Sequence, residues 1–199
     1  MNMKNLPGIL LGIFIALLIL CAVVYFLLAP ARSETFSSIE IISTEADMTF
    51  QLTSDAFSNG QSIPAKYSCV GKNISPALSW NDPPAGTQSF ALIVDDLDAP
   101  GGTWTHWVLY NIPAGARSLQ EDLPIGGENN PILFGKNSWG DVAYGGPCPP
   151  GGTHRYYFKL YALDIEFPIL APSATKEQVL HAIQGHILAQ TELMGTFSK

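Results

Sequence analysis

The sequence predicts a mainly β domain, a sandwich or barrel of short strands with one helix near its C-terminus, behind an apolar N-terminal segment. Three observations predict it. Short apolar or aromatic runs recur at FALIV (Phe90 to Val94), WVLYNI (Trp107 to Ile112) and YYFKLYAL (Tyr156 to Leu163). Turn-rich pieces separate them: NDPPAG, DAPGG, NIPAGA and GGPCPPGG. Helical periodicity is scarce. Strands of that length bounded by Gly/Pro turns pack as two layers or close on themselves.

The first element is different. Leu6 to Ala29 runs 24 residues without a charge, longer than the 7 to 15 of a signal-peptide core and long enough to cross a bilayer. Lys4 precedes it, while Glu34, Glu40, Glu45 and Asp47 follow, so the positive-inside rule predicts a cytoplasmic N-terminus and an exported domain. Residues 1–32 are thus expected to form a transmembrane anchor. The alternative is a signal segment cleaved near Ala31, since Ala29-Pro30-Ala31 has the A-x-A form. Residues 33–47, polar and without a clear period, read as a tether, and residues 48–199 as the folded domain.

Charge narrows the partners. Without Lys4 and Arg32, the chain from Ser33 onward carries eight basic and seventeen acidic residues, a formal charge of −9. This argues against nucleic-acid binding through a broad basic face. A local pocket for an anion needs only a few well-placed donors and is compatible with such a charge. Of three cysteines, Cys21 lies in the apolar run, leaving Cys69 and Cys148 in the domain, either bonded in an oxidising compartment or as two free thiols.

Near the C-terminus, Thr175 and Gln178 form a capping box. Val179, Leu180, Ile183, Ile187 and Met194 then fall on one helical stripe, with Gly195 as a stop. His181 and His186 lie off the stripe or at its border and read as structural or solvent-facing.

The other two histidines open strands: His106 precedes WVLYNI and His154 precedes the YAL strand. Asp95, Asp96 and Asp98 follow FALIV at a strand exit. If neighbouring strands are antiparallel, entrances and exits share one rim, where the histidines and an aspartate can converge. An aspartate beside an imidazole raises its pKa and orients its N–H groups toward an anionic oxygen. Tyr156, on the face of His154, offers a phenolic donor, and the Gly-rich loop offers backbone groups. The alternative is that the aspartates cap turns and the histidines are satisfied polar groups at strand ends. Arg155, on the opposite strand face, reads as an ion-pair partner. No H-x-x-x-H or C-x-x-C spacing assigns a metal, and no dinucleotide or phosphate-loop fingerprint assigns a cofactor. Neither G-x-S-x-G nor a partner for Ser138 supports a serine hydrolase.

DLDAPG (Asp96 to Gly101), WTHW (Trp104 to Trp107) and GPCPPGGTHRYY (Gly146 to Tyr157) resemble the two signature regions of the phosphatidylethanolamine-binding protein family, nearest its bacterial and archaeal Raf-kinase-inhibitor-like branch. IPAKYSCVGKNISPALSW, NSWGDVAYGGPCPP and GHILAQTELMGTF fall in matching order. The resemblance covers about Met48 to Phe197. It implies a sandwich of two antiparallel sheets with a small anion-binding pocket at one end. Carried over residue by residue, it implies pocket roles for Asp96, Asp98, His106, Gly146, Pro147, His154 and Tyr156. It also implies phosphate-like anions or phospholipid head groups as ligands, with inhibition of a peptidase or kinase as the alternative; weak hydrolysis with His106 and His154 as acid and base is a less favoured reading of the residues themselves. Leu97 stands where relatives often have proline, and the connection from Pro100 to Trp104 is short, so the pocket wall is expected to be more open.

Overall fold

The computed structural model describes residues 50–126, 131–167 and 173–199. The expected anchor and tether lie outside the described residues, among which no helix is long and apolar enough to cross a membrane.

The domain is a sandwich of two antiparallel sheets. One has three short strands in the order β1 (Gln51–Thr53), β2 (Leu78–Asn81), β5 (Ser118–Leu119). The other runs β6 (Leu133–Phe134), β4 (Trp104–Pro113), β3 (Ser89–Asp96), β7 (Thr153–Leu163), β8 (Ile187–Ser198). Between the sheets, Leu52, Leu78, Trp80 and Leu119 meet Phe90, Leu92, Val94, Trp107, Leu109, Phe158 and Leu160. Side chains alternate across a strand, so Ala91, Ile93, Val108 and Tyr110 face the other way. There they join a second core closed by Phe167, Val179 and Ile183. β3 is therefore buried on both faces, which is why FALIV is continuously apolar.

The expected C-terminal helix is shorter than its stripe. α1 spans Lys176–Ala182, started by the Thr175–Gln178 capping box, and is followed by Gly185 at φ +84°. That left-handed turn ends the helical course, and residues from Ile187 pair along β7. In β8 the decisive period is two: Leu193, Gly195 and Phe197 point inward. Gly195 is not a stop but a point of close approach, where a Cβ would lie 2.5 Å from the Ile63 side chain. His186 pairs with Asp164 at 2.9 Å, both near 44% exposed, and His181 is exposed.

Candidate functional site

The end of β3 sends its acids to different places. Asp95, in step with Ala91 and Ile93, faces the α1 side. There its carboxylate accepts from Lys176 Nζ at 2.8 Å and Thr105 Oγ1 at 2.9 Å, with Lys159 Nζ at 3.7 Å. Asp96, in step with Phe90, Leu92 and Val94, extends the inter-sheet face and sits opposite Tyr156 of β7. Its Oδ2 accepts from His154 Nδ1 at 2.7 Å and its Oδ1 from the Asp98 N–H at 2.8 Å. Asp98 turns outward and takes a two-point grip from Arg155, Nε at 2.9 Å and Nη2 at 2.6 Å, plus the Arg155 N–H. That guanidinium holds the Asp98 carboxyl down at about 2.

His106 reaches the site through a register change. Val94 pairs with Trp107 and Asp95 with Thr105, so His106 is the extra residue of a bulge in β4. A bulge of this kind re-aims a side chain beside a site. The buried ring places Nδ1 2.6 Å from the Gly145 carbonyl. That oxygen can only accept, so Nδ1 carries the proton and Nε2 keeps its lone pair in the neutral ring. Burial pulls the His106 pKa down, against the upward pull of the Gly145 carbonyl and the nearby aspartates. The upward pull expected of a neighbouring aspartate is thus present at His106 but outweighed, because desolvation dominates. An ionised carboxylate likewise only accepts, so His154 Nδ1 carries a proton and its Nε2 is the group left for a ligand.

Around these rings is a cleft of about 300 Å³ lined by Asp96, His106 and His154, the tryptophans Trp104 and Trp139, and the Pro100 and Cys148–Pro150 segments. Trp139 meets His106 edge-on at 5.0 Å and Trp104 at 5.4 Å, so two indoles form one side of the mouth. Tyr156 lies beneath, its ring 5.1 Å from His106. It is fully buried, and its hydroxyl makes no hydrogen bond of good geometry among the described residues. Burial, then the Asp96 charge, push that phenol well above its usual range, so it stays protonated.

Of the seven residues assigned from sequence, Asp96, His106 and His154 line this cleft. Tyr156 underlies it, and Asp98 is taken by Arg155. Gly146 and Pro147 brace the wall. The Gly146 N–H donates to Asn73 Oδ1 at 2.7 Å, and the Pro147 carbonyl accepts from the Cys69 N–H at 3.1 Å. Gly146 is required by proximity, since a Cβ would lie 2.2 Å from the Tyr67 carbonyl oxygen. Cys69 and Cys148 are joined in a disulfide with Cα atoms 5.4 Å apart. Sequence reading gave no site role to Trp104 and Trp139. The available signal for Trp139 was a large aromatic in a Ser-Trp-Gly turn, outside any buried periodicity. Among the described residues no three His, Cys, Asp or Glu side chains form a metal-holding group.

Fold and site together define a two-sheet β-sandwich protein with a small imidazole-lined cleft where β3 ends and β7 begins. A sequence model of the family described as phosphatidylethanolamine-binding protein matches residues 53–198, and the chain belongs to that family. It is 48% identical over 151 residues to a UPF0098 protein of Aquifex aeolicus, covering 75% of this chain and 88% of that protein. A UPF0098 protein of Methanothermobacter thermautotrophicus is 46% identical over 149 residues, covering 74% and 98%. Among solved structures, a phosphatidylethanolamine-binding protein homologue of Chlamydia trachomatis is similar at 46% identity and a TM-score of 0.71, covering 76% of this chain and 98% of that one. YbcL of E. coli, described as a member of the mammalian PEBP family, is similar at 32% identity and a TM-score of 0.69, covering 75% and 98%.

Proposed function

We propose that the protein binds a small phosphate-type anion, free or as a phospholipid head group, in the His106–His154 cleft. The observation that carries this reading is the pair of imidazoles with opposite roles. His106, held neutral by burial, offers Nε2 as an acceptor. His154, backed by the Asp96 carboxylate, donates from Nε2 once protonated. A monoprotonated phosphate or phosphate monoester has both a hydroxyl to give and anionic oxygens to receive, and matches that pair. Among the described residues no Lys or Arg lines the cleft, and recognition in this reading rests on these hydrogen bonds. The apolar stretch Leu6–Ala29 supports an exported domain tethered to a membrane, with release after cleavage near Ala31 as the alternative.

Calorimetry with inorganic phosphate and phosphorylethanolamine tests the binding. The expected result is saturable binding that His154→Ala weakens by at least about tenfold, the loss of one charge-assisted bond. Absence of binding, or binding indifferent to that substitution, contradicts the reading.

A second reading, inhibition of a peptidase or kinase docked at the rim, is favoured by the exposed Leu97, Trp104 and Trp139, which are 42%, 36% and 47% accessible. It requires a protein partner whose capture is lost in Trp139→Ala.

A further inference from the structure

The cleft wall is built in two halves with different support. Gly145 to Pro147 is pinned by its backbone: Gly145 N–H to the His106 carbonyl at 2.9 Å, Gly146 to Asn73, and Pro147 to Cys69. Beyond it, Cys148, Pro149 and Pro150 line the cleft, and the two prolines have no N–H to anchor them. Gly151 and Gly152 are exposed, and Gly152 turns at φ +77° into β7. The covalent tie of this second half is the bond from Cys148 to Cys69. Cys69 itself stands on a firm base. Its neighbour Ser68 donates to the Ala65 carbonyl, and Tyr67 is fixed through its hydroxyl to Glu121 at 2.7 Å and through its carbonyl to the Tyr144 hydroxyl at 2.9 Å. Both cysteines are exposed, and Cys148 also borders a neighbouring cleft of about 260 Å³ on the other side of Trp139. An attacking thiolate therefore has access, which buried structural disulfides deny.

We propose that Cys69–Cys148 is a thiol-exchange site that sets the state of the cleft: oxidised, it latches the Cys148–Pro150 wall over the imidazoles; reduced, it lets that wall swing out. The consequence for affinity rests on the anion reading above. The chemistry balances with a dithiol as reductant. Its thiolate attacks one sulfur, the S–S bond breaks, and the other cysteine leaves as a thiolate that takes a proton. The second thiol of the reductant then displaces the mixed disulfide, so two cysteine thiols appear as one reductant disulfide forms. Gly145 to Pro147 keeps its hydrogen bonds throughout, so His106 retains its tautomer and only the outer wall is released.

Two readouts on the full chain test this. In the first, hydrogen exchange is compared between the oxidised protein and the protein reduced with dithiothreitol, without ligand. The latch predicts faster exchange at Cys148, Gly151 and Gly152, beyond the general rise that lowered global stability gives the β3 and β7 core amides. In the second, inorganic phosphate is titrated by calorimetry, and its affinity is expected to fall about tenfold on reduction, as the wall must be ordered at each binding event. Reoxidation restores it, and the Cys69→Ser/Cys148→Ser double variant binds weakly whether or not dithiothreitol is present. Exchange at those sites that rises no more than the core's after complete reduction overturns the latch. So does measurable phosphate binding of equal affinity in the two states. Faster exchange in a protein that binds phosphate in neither state supports the latch and contradicts the anion reading, so the two fail separately.

Discussion

At the scale of the residue, the site turns on which way each polar side chain leaves its strand. Asp95 and Asp96 are adjacent in sequence, yet one anchors Lys176 beneath α1 and the other orients His154 in the cleft. His106 gives a pH prediction with a definite sign. Its pKa is lowered in the folded protein, so the unfolded chain binds the extra proton as pH falls through about 6.5. The stability it contributes is whole above that pH and is lost below it, until the folded ring also protonates. Urea unfolding followed from pH 8 to pH 5 is expected to show this loss, and His106→Gln to reduce it; an imidazole titrating above about 6.5 in NMR contradicts it. Asp98 works lower. Its carboxyl is held at about 2 by Arg155, so its contribution is present above the unfolded value and fades as pH falls through about 2. Because the pair is partly exposed, that contribution is small. The presence of acids and histidines at strand ends was legible in the sequence, because turn residues and apolar runs locate strand ends. Which acid meets which base was not, since that depends on the bulge that turns His106 inward.

At the scale of the element, the Gly-rich loop was read from sequence as offering backbone groups to the pocket, and the structure adds how the loop is held. Gly145 and Gly146 serve close approach, to Trp139 and to the Tyr67 backbone, while Gly152 supplies a positive φ. Gly146→Ala is therefore expected to push the loop off the Ser68 backbone and weaken phosphate binding by at least about tenfold, with the sandwich still folded by circular dichroism. Wild-type affinity in that variant contradicts the bracing role. The helix shows the opposite lesson. Thr175 and Gln178 located its start, and Thr175→Ala is expected to cost about 1 kcal/mol in urea unfolding. Its end was misread because Ile183 and Ile187, four apart, fit one helical face by coincidence, whereas pairing with β7 organises residues from Ile187 onward.

At the scale of the whole molecule, a sandwich or barrel was legible because short apolar runs are punctuated by turns, whereas the count of two sheets came from the family resemblance. The sheet order, which runs β6-β4-β3-β7-β8, was beyond reach of local pattern, because β7 reaches back to β3 across 56 intervening residues from Asp96 to Thr153. That pairing is what sets His154 beside Asp96. The disulfide closes a loop of 79 residues and, in the chain-entropy picture, contributes about 4 kcal/mol, so reduction is expected to lower the melting temperature without dissolving the sandwich. The proposed role of the imidazole cleft is to receive a phosphate-type anion. Its most direct test is a crystal structure grown with phosphate. An anion is expected within hydrogen-bond reach of Nε2 of both His106 and His154, with the Asp96–His154 bond intact; an empty cleft, or an anion held elsewhere, contradicts anion binding there.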